Sequence, residues 1–208
     1  MTVSKYLLTM IDMIEKTRKS SEQRRYEMAM AALRIIDEQG VKALSTATLV
    51  KAMGLSPGAP FKHFTSWRDI YGEMATVGIA LIEETFPQDE PAGVKQLLSL
   101  MKNRINALHA TPGLTWLLRS EQAYLTLPAE SVIALQEMAK RSKGYLLAAI
   151  KNGVASGEIR NDIAPKELLI IVTGTIHALS GMPALGKKKK QSPDKVLKAI
   201  NLLLTVKT

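Results

Sequence analysis

No cysteine occurs anywhere in the chain, which excludes disulfides, thiolate metal ligands and a cysteine nucleophile. Histidine is scarce: His63, His109 and His177 lie far apart, and none has the spacing of a metal site. There is no glycine-rich phosphate cradle and no Ser/His/Asp pattern with recognisable context, so no catalytic residue, metal or cofactor is assigned and an enzyme is not expected. Long apolar runs are also missing. No stretch approaches the roughly 20 apolar residues that span a bilayer. The first twenty residues mix acids and bases between apolar positions, as an amphipathic helix does and a signal peptide does not. The expectation is a soluble, cytoplasmic protein with no membrane partner. Aromatic residues make up only 5% of the chain, and no run alternates with period two for long enough to make a strand.

What is present favours helix. Apolar residues are 46% of 208, enough to bury a core in one large domain or two small ones. The abundant Ala, Leu and Met keep most of their rotamer freedom in helices. Helical spacing of apolar residues predicts helices over 4–18, 22–39, 45–53, 56–64, 67–85, 92–109, 112–124, 129–156, 164–182 and 193–206. Gly40 and Gly54 fall at helix ends, and Pro112, Pro128, Pro165 and Pro193 fall where first turns tolerate proline. The gap from Phe86 to Pro91 predicts a boundary between residues 1–86 and 87–208. The net charge of +9 is unevenly spread: residues 1–86 carry eleven Lys/Arg against ten Asp/Glu, and most of the excess lies beyond. Part of that excess is Lys187 to Lys190, read as a solvated basic loop.

Residues 24–72 carry the most specific pattern. Met28, Ala32, Leu33, Ile35 and Ile36 put an apolar stripe on a helix that Gly40 can stop. Ser45 is placed to cap a second helix with an inward face of Leu49, Val50 and Met53, and Gly54 supplies a tight turn into a short third helix. Two short helices about a glycine turn are helix-turn-helix geometry, in which the second helix enters the major groove of DNA. Arg24 and Arg25, ahead of this segment, read equally well as a DNA-contacting arm or a solvated helix start.

Gly54, Leu55 and Ser56, then Phe61, His63 and Phe64, then Ile70, with Ser45 at the start of the preceding helix, resemble the reader of the TetR family of transcriptional repressors. The resemblance covers about residues 24–75. It implies an all-α fold, with an N-terminal three-helix reader and a C-terminal helical bundle for ligand binding and dimerisation. It also implies double-stranded operator DNA as a partner, a second copy of the chain as another, and a small-molecule effector. Phe61 stands where the family usually has a tyrosine, and Trp67 where it usually has a lysine, so a hydroxyl and an ionic phosphate contact are missing. Lys62 is expected to read a base edge, with guanine its natural partner. Ser45, Thr46, Ser56, His63 and Trp67 are expected at phosphates. Pro57, Gly58 and Ala59 complete the DNA-facing set but offer no side-chain hydrogen bonds to bases.

Beyond residue 75, Met101, Ile105, His109, Trp116, Tyr124, Met138, Tyr145 and His177 mix apolar bulk with polar tips, as pocket linings do. The set is poor in charge, which predicts an apolar or aromatic ligand. Leu168, Ile171, Thr175 and Leu179 in one late helix, and Val196, Ile200 and Leu203 in the next, are expected at a dimer interface, because the resemblance implies a four-helix bundle of two late helices per subunit. The function expected is a repressor released from its operator by a small apolar ligand. The alternative is a helical ligand-binding or interaction protein that has lost sequence-specific DNA binding.

Overall fold

The computed structural model describes residues 20–87, 90–181 and 193–205, and these form nine α-helices without a strand. The helix expected over 4–18 and the tetralysine run lie outside the described residues. The helices are α1 (Ser21–Gln39), α2 (Thr46–Met53), α3 (Trp67–Glu83), α4 (Val94–Ala110), α5 (Leu114–Arg119), α6 (Glu121–Thr126), α7 (Ala129–Ala155), α8 (Pro165–Gly181) and α9 (Pro193–Leu204). The all-α expectation holds.

Two compact units divide between Met74 and Ala75, inside α3 and not at the proline-flanked gap. The physical reason is where that gap is tied. Pro87 accepts a hydrogen bond from the Tyr145 hydroxyl at 3.1 Å, and the Thr85 hydroxyl accepts one from Arg104. The end of α3 therefore belongs to the second unit.

In the first unit, Ser20 caps α1 by accepting from the Gln23 amide at 3.1 Å, and Gly40 ends the helix at φ +82°. Met28, Ala32, Leu33 and Ile36 of α1, Leu49 and Val50 of α2, and Phe64, Ile70 and Met74 are buried. Ser45 and Thr48 form a reciprocal cap: the Ser45 hydroxyl accepts from the Thr48 amide, and the Thr48 hydroxyl accepts from the Ser45 amide at 2.9 Å. Gly54 closes α2 in the left-handed region, and the Leu55 amide reaches back to Val50 O at 2.9 Å.

In the second unit, α4 packs on α7, α8 and α9, and α8 on α7. A Cβ on Gly78 would overlap the side chain of Leu117, so glycine lets α5 lie directly against α3. The single helix expected over 112–124 is two, broken at Ser120. Ser120 is extended, and its hydroxyl caps α6 by accepting from the Gln122 amide.

Candidate nucleic-acid interface

The segment expected as a helix over 56–64 is instead a short set of turns ending in one 3₁₀ turn, Pro60–Lys62. Proline explains the difference. An α-helix capped at Ser56 would draw its first internal bond from the amide of residue 60, and Pro60 has no N–H to give. The chain makes tighter bonds: Ala59 N to Ser56 O at 2.9 Å, Lys62 N to Ala59 O at 3.2 Å and His63 N to Pro60 O at 3.0 Å. Ser56, Pro57, Gly58, Phe61 and Lys62 are exposed, while Pro60 and Phe64 face inward. Phe61 is 47% exposed and Phe64 only 2%, so the two phenylalanines divide into one surface ring and one core ring.

Three contacts hold this turn in place. His63 Nδ1 pairs with the Ser21 hydroxyl at 2.9 Å, tying the turn to the start of α1. The Arg25 guanidinium lies 4.8 Å above the Phe64 ring. Its Nε donates to Glu73 Oε2 at 2.9 Å. Arg25 thus braces the turn against α3, a role that sequence spacing could not reveal.

At the head of α3, Asp69 Oδ2 accepts from the amides of Thr65 and Ser66, each at 2.9 Å, and from the Thr65 hydroxyl. The Thr65 hydroxyl contact in particular holds the Asp69 carboxyl below the usual aspartate range. These two amides are therefore spent inside the protein and are not offered to a phosphate. Trp67 begins α3, half-buried, with its ring 6.2 Å from that of Tyr71. Ser45 is exposed with its hydroxyl engaged in the α2 cap, while Thr46 and Ala59 are half-buried.

The residues expected at a ligand pocket do not share one environment. Met101, Ile105 and Met138 are buried in the core of the second unit. His109 is half-buried, its Nε2 paired with Leu179 O at 2.8 Å, and Tyr145 is tied to Pro87. Tyr124 is half-buried, and His177 is exposed at the surface, so it does not line an enclosed site. Partial desolvation, with the Arg119 charge, pulls the His177 imidazole below its usual value. The Trp116 indole N–H is buried with no hydrogen-bond partner among the described residues.

Of the interface residues, Leu168 and Ile200 turn into the chain's own core, which leaves them no surface for a partner. Ile171 and Leu203 are exposed, and Thr175, Leu179 and Val196 are half-buried. Ile170 and Leu202, not singled out by periodicity, are 70% and 58% exposed. Arg104 was also missed. It stands at a position of the α4 stripe, between Leu100 and Leu108, where an apolar residue is the norm, and that misplaced charge is the signal that could have found it.

Among the described residues no helix is long and apolar enough to cross a membrane. An exposed turn held behind a capped helix, among described residues that form helices and no strand, is a helix-turn-helix arrangement. Residues 30–74 match the family described as bacterial regulatory proteins, tetR family. The HTH-type transcriptional regulator AcrR of Shigella flexneri is 28% identical over 93 residues, 41% of this chain and 43% of that protein, so the match spans less than half of the relative. Among solved structures, the ketosteroid transcriptional regulator KstR2 of Mycobacterium tuberculosis superposes with a TM-score of 0.74 at 16% identity, covering 88% of this chain and 96% of that one. AibR, in complex with isovaleryl coenzyme A and operator DNA, gives 0.71 at 18%, covering 87% and 98%. PfmR, a TetR family transcriptional regulator from Thermus thermophilus, gives 0.65 at 20%, covering 89% and 96%. Residues 30–74 thus match the N-terminal domain model of the tetR family, and the described residues share the all-α fold of the solved regulators they superpose on.

Proposed function

We propose that this protein is a DNA-binding transcriptional regulator, a cytoplasmic homodimeric repressor whose operator binding is released by a small, mostly apolar ligand. The observation that carries the reading is the braced turn at Ser56–His63. It exposes Ser56, Phe61 and Lys62 while Phe64 anchors it from behind. On this reading Lys62 meets a base edge, Ser45, Thr46, Ser56, His63 and Trp67 sit at phosphates, and Pro57, Gly58, Ala59 and Phe61 make close apolar contact. The division of labour runs from a reader in the unit that ends at Met74 to ligand binding and dimerisation in the unit that starts at Ala75.

A reader of this size gains affinity when two copies sit about 34–36 Å apart on one DNA face, so a dimer is the form the function calls for. The exposed Ile170, Ile171, Leu202 and Leu203 on the two late helices support that assembly. A structural neighbour bound to both operator DNA and isovaleryl coenzyme A supports pairing a reader with an effector site.

A second reading, a helical ligand-binding protein without sequence-specific DNA binding, is favoured by two features of the turn. Its proline-limited 3₁₀ geometry shortens the recognition element, and Trp67 replaces a cation. Selection of bound sequences from a random DNA pool, followed by affinity measured against salt, separates the two. A regulator enriches a two-fold symmetric site and loses affinity with a slope of about −0.9 per phosphate neutralised. No binding at low salt overturns it in favour of the second reading.

A further inference from the structure

Arg104 is a buried cation whose partners among the described residues are all neutral. It is 9% exposed, on a helical face whose neighbouring positions Leu100, Met101 and Leu108 are buried and apolar. Its Nε donates to Thr85 Oγ1 at 2.8 Å, Nη1 to Ser142 Oγ at 3.0 Å, and Nη2 to Ile82 O at 3.5 Å. The guanidinium carbon lies 5.3 Å over the Phe86 ring, which in turn meets Tyr145 edge-on at 4.9 Å. Among the described residues no carboxylate pairs with it. A guanidinium has five N–H groups. Three are committed here, one of them at long range, which leaves one on each terminal nitrogen.

Burial pushes its pKa down to about 10, so the group stays charged at neutral pH. A buried charge without a counter-charge is costly, and an apolar side chain of the same length would pack there more favourably. The Thr85 and Ser142 hydroxyls and the Ile82 carbonyl offset only part of that cost. What the site lacks is one negative charge with two acceptor atoms in a plane, the shape a carboxylate presents to a guanidinium fork.

We infer that Arg104 anchors the carboxylate of an apolar monocarboxylic acid bound in the second unit. A single buried cation balances a monoanion, whereas a phosphate monoester carries about −1.5 to −2 and would leave charge unbalanced in an apolar setting. Met101 and Leu108 on α4 and Met138 on α7, within one turn of Arg104 or Ser142, are the residues that would receive the apolar tail. The acid would take the remaining N–H on each terminal nitrogen, beside the bonds that Arg104 gives to Thr85 Oγ1 and Ile82 O at the end of α3. This inference names the chemical class of the effector proposed above and rests on that reading only for its consequence at DNA.

The test uses the full chain, with straight-chain acids from butanoate to dodecanoate and the matching uncharged amides, read by calorimetric titration and thermal shift. At least one acid is expected to bind about tenfold or more tightly than its amide, as a charge-assisted bidentate pair does over a neutral contact. Arg104→Lys should lose much of that preference and Arg104→Met all of it. The inference is overturned if every amide binds within about twofold of its acid, or if a folded Arg104→Met retains the preference. Should Arg104→Met fail to fold, the comparison of acid with amide on the unaltered chain still decides. An acid that binds through Arg104 without altering operator affinity upholds the inference and counts against the release mechanism alone.

Discussion

Arg25 on α1 reaches Glu73 on α3, Nε to Oε2 at 2.9 Å, while its guanidinium covers the Phe64 ring. One side chain therefore ties together the first helix, the turn that carries the exposed Lys62 and the helix that follows. The pair is only partly buried, with 39% of the arginine side chain and 14% of the glutamate exposed, so solvent screens part of its strength. A double-mutant cycle with Arg25→Met and Glu73→Gln should give a coupling of about 1 kcal/mol or less in urea unfolding. Arg25→Lys should not restore it, because the planar fork is lost. A coupling of zero would mean that the Arg25–Glu73 pair contributes nothing to holding the turn.

Gly54 stands at φ +64°, ψ +36°, and a Cβ there meets nothing within 4 Å. Any penalty for a side chain is therefore backbone strain and not a clash. Gly54→Ala should cost about 1–2 kcal/mol and Gly54→Asn clearly less, since asparagine tolerates the left-handed region. Equal losses for the two variants, measured by thermal denaturation, would contradict this account.

Lys62 and Trp67 should act in opposite directions on DNA binding. On the proposed reading, Lys62→Ala removes an exposed cation from the turn and should weaken binding, with about 1–3 kcal/mol of discrimination lost at one base pair. Trp67→Lys adds a cation at the first residue of α3 and should raise the salt slope by about 1. Filter binding at several salt concentrations reads both effects. A Lys62→Ala protein with unchanged affinity and unchanged sequence preference would remove the turn from the interface.

Asp69 ties its pKa to folding. The Thr65 hydroxyl, ahead of the Ser66 and Thr65 amides, holds the carboxyl below the usual aspartate range in the folded chain. The unfolded chain takes up the proton first as pH falls, so this contribution is complete above the ordinary aspartate pKa and is lost as pH falls through the lower, folded value. An NMR titration should place the Asp69 midpoint below that of a free aspartate. Asp69→Asn should flatten the acid side of the stability profile, and an unaltered profile would refute the cap.

The all-α fold, the capped α2 and the glycine turn were readable from residues alone, because caps, helical periodicity and the φ freedom of glycine are local properties. Pro60 also carried the reason why residues 60–62 form a 3₁₀ turn, since a missing N–H is fixed by residue type. Tertiary structure alone decided which side of Leu168 and Ile200 faces the chain's own core, because periodicity marks a stripe without saying what covers it. It likewise decided that Arg25 is a brace and that Arg104 is buried with no counter-charge among the described residues. Both outcomes depend on groups brought together from distant parts of the chain, and the strength of a charge interaction is set by the solvent and neighbours that only packing assigns.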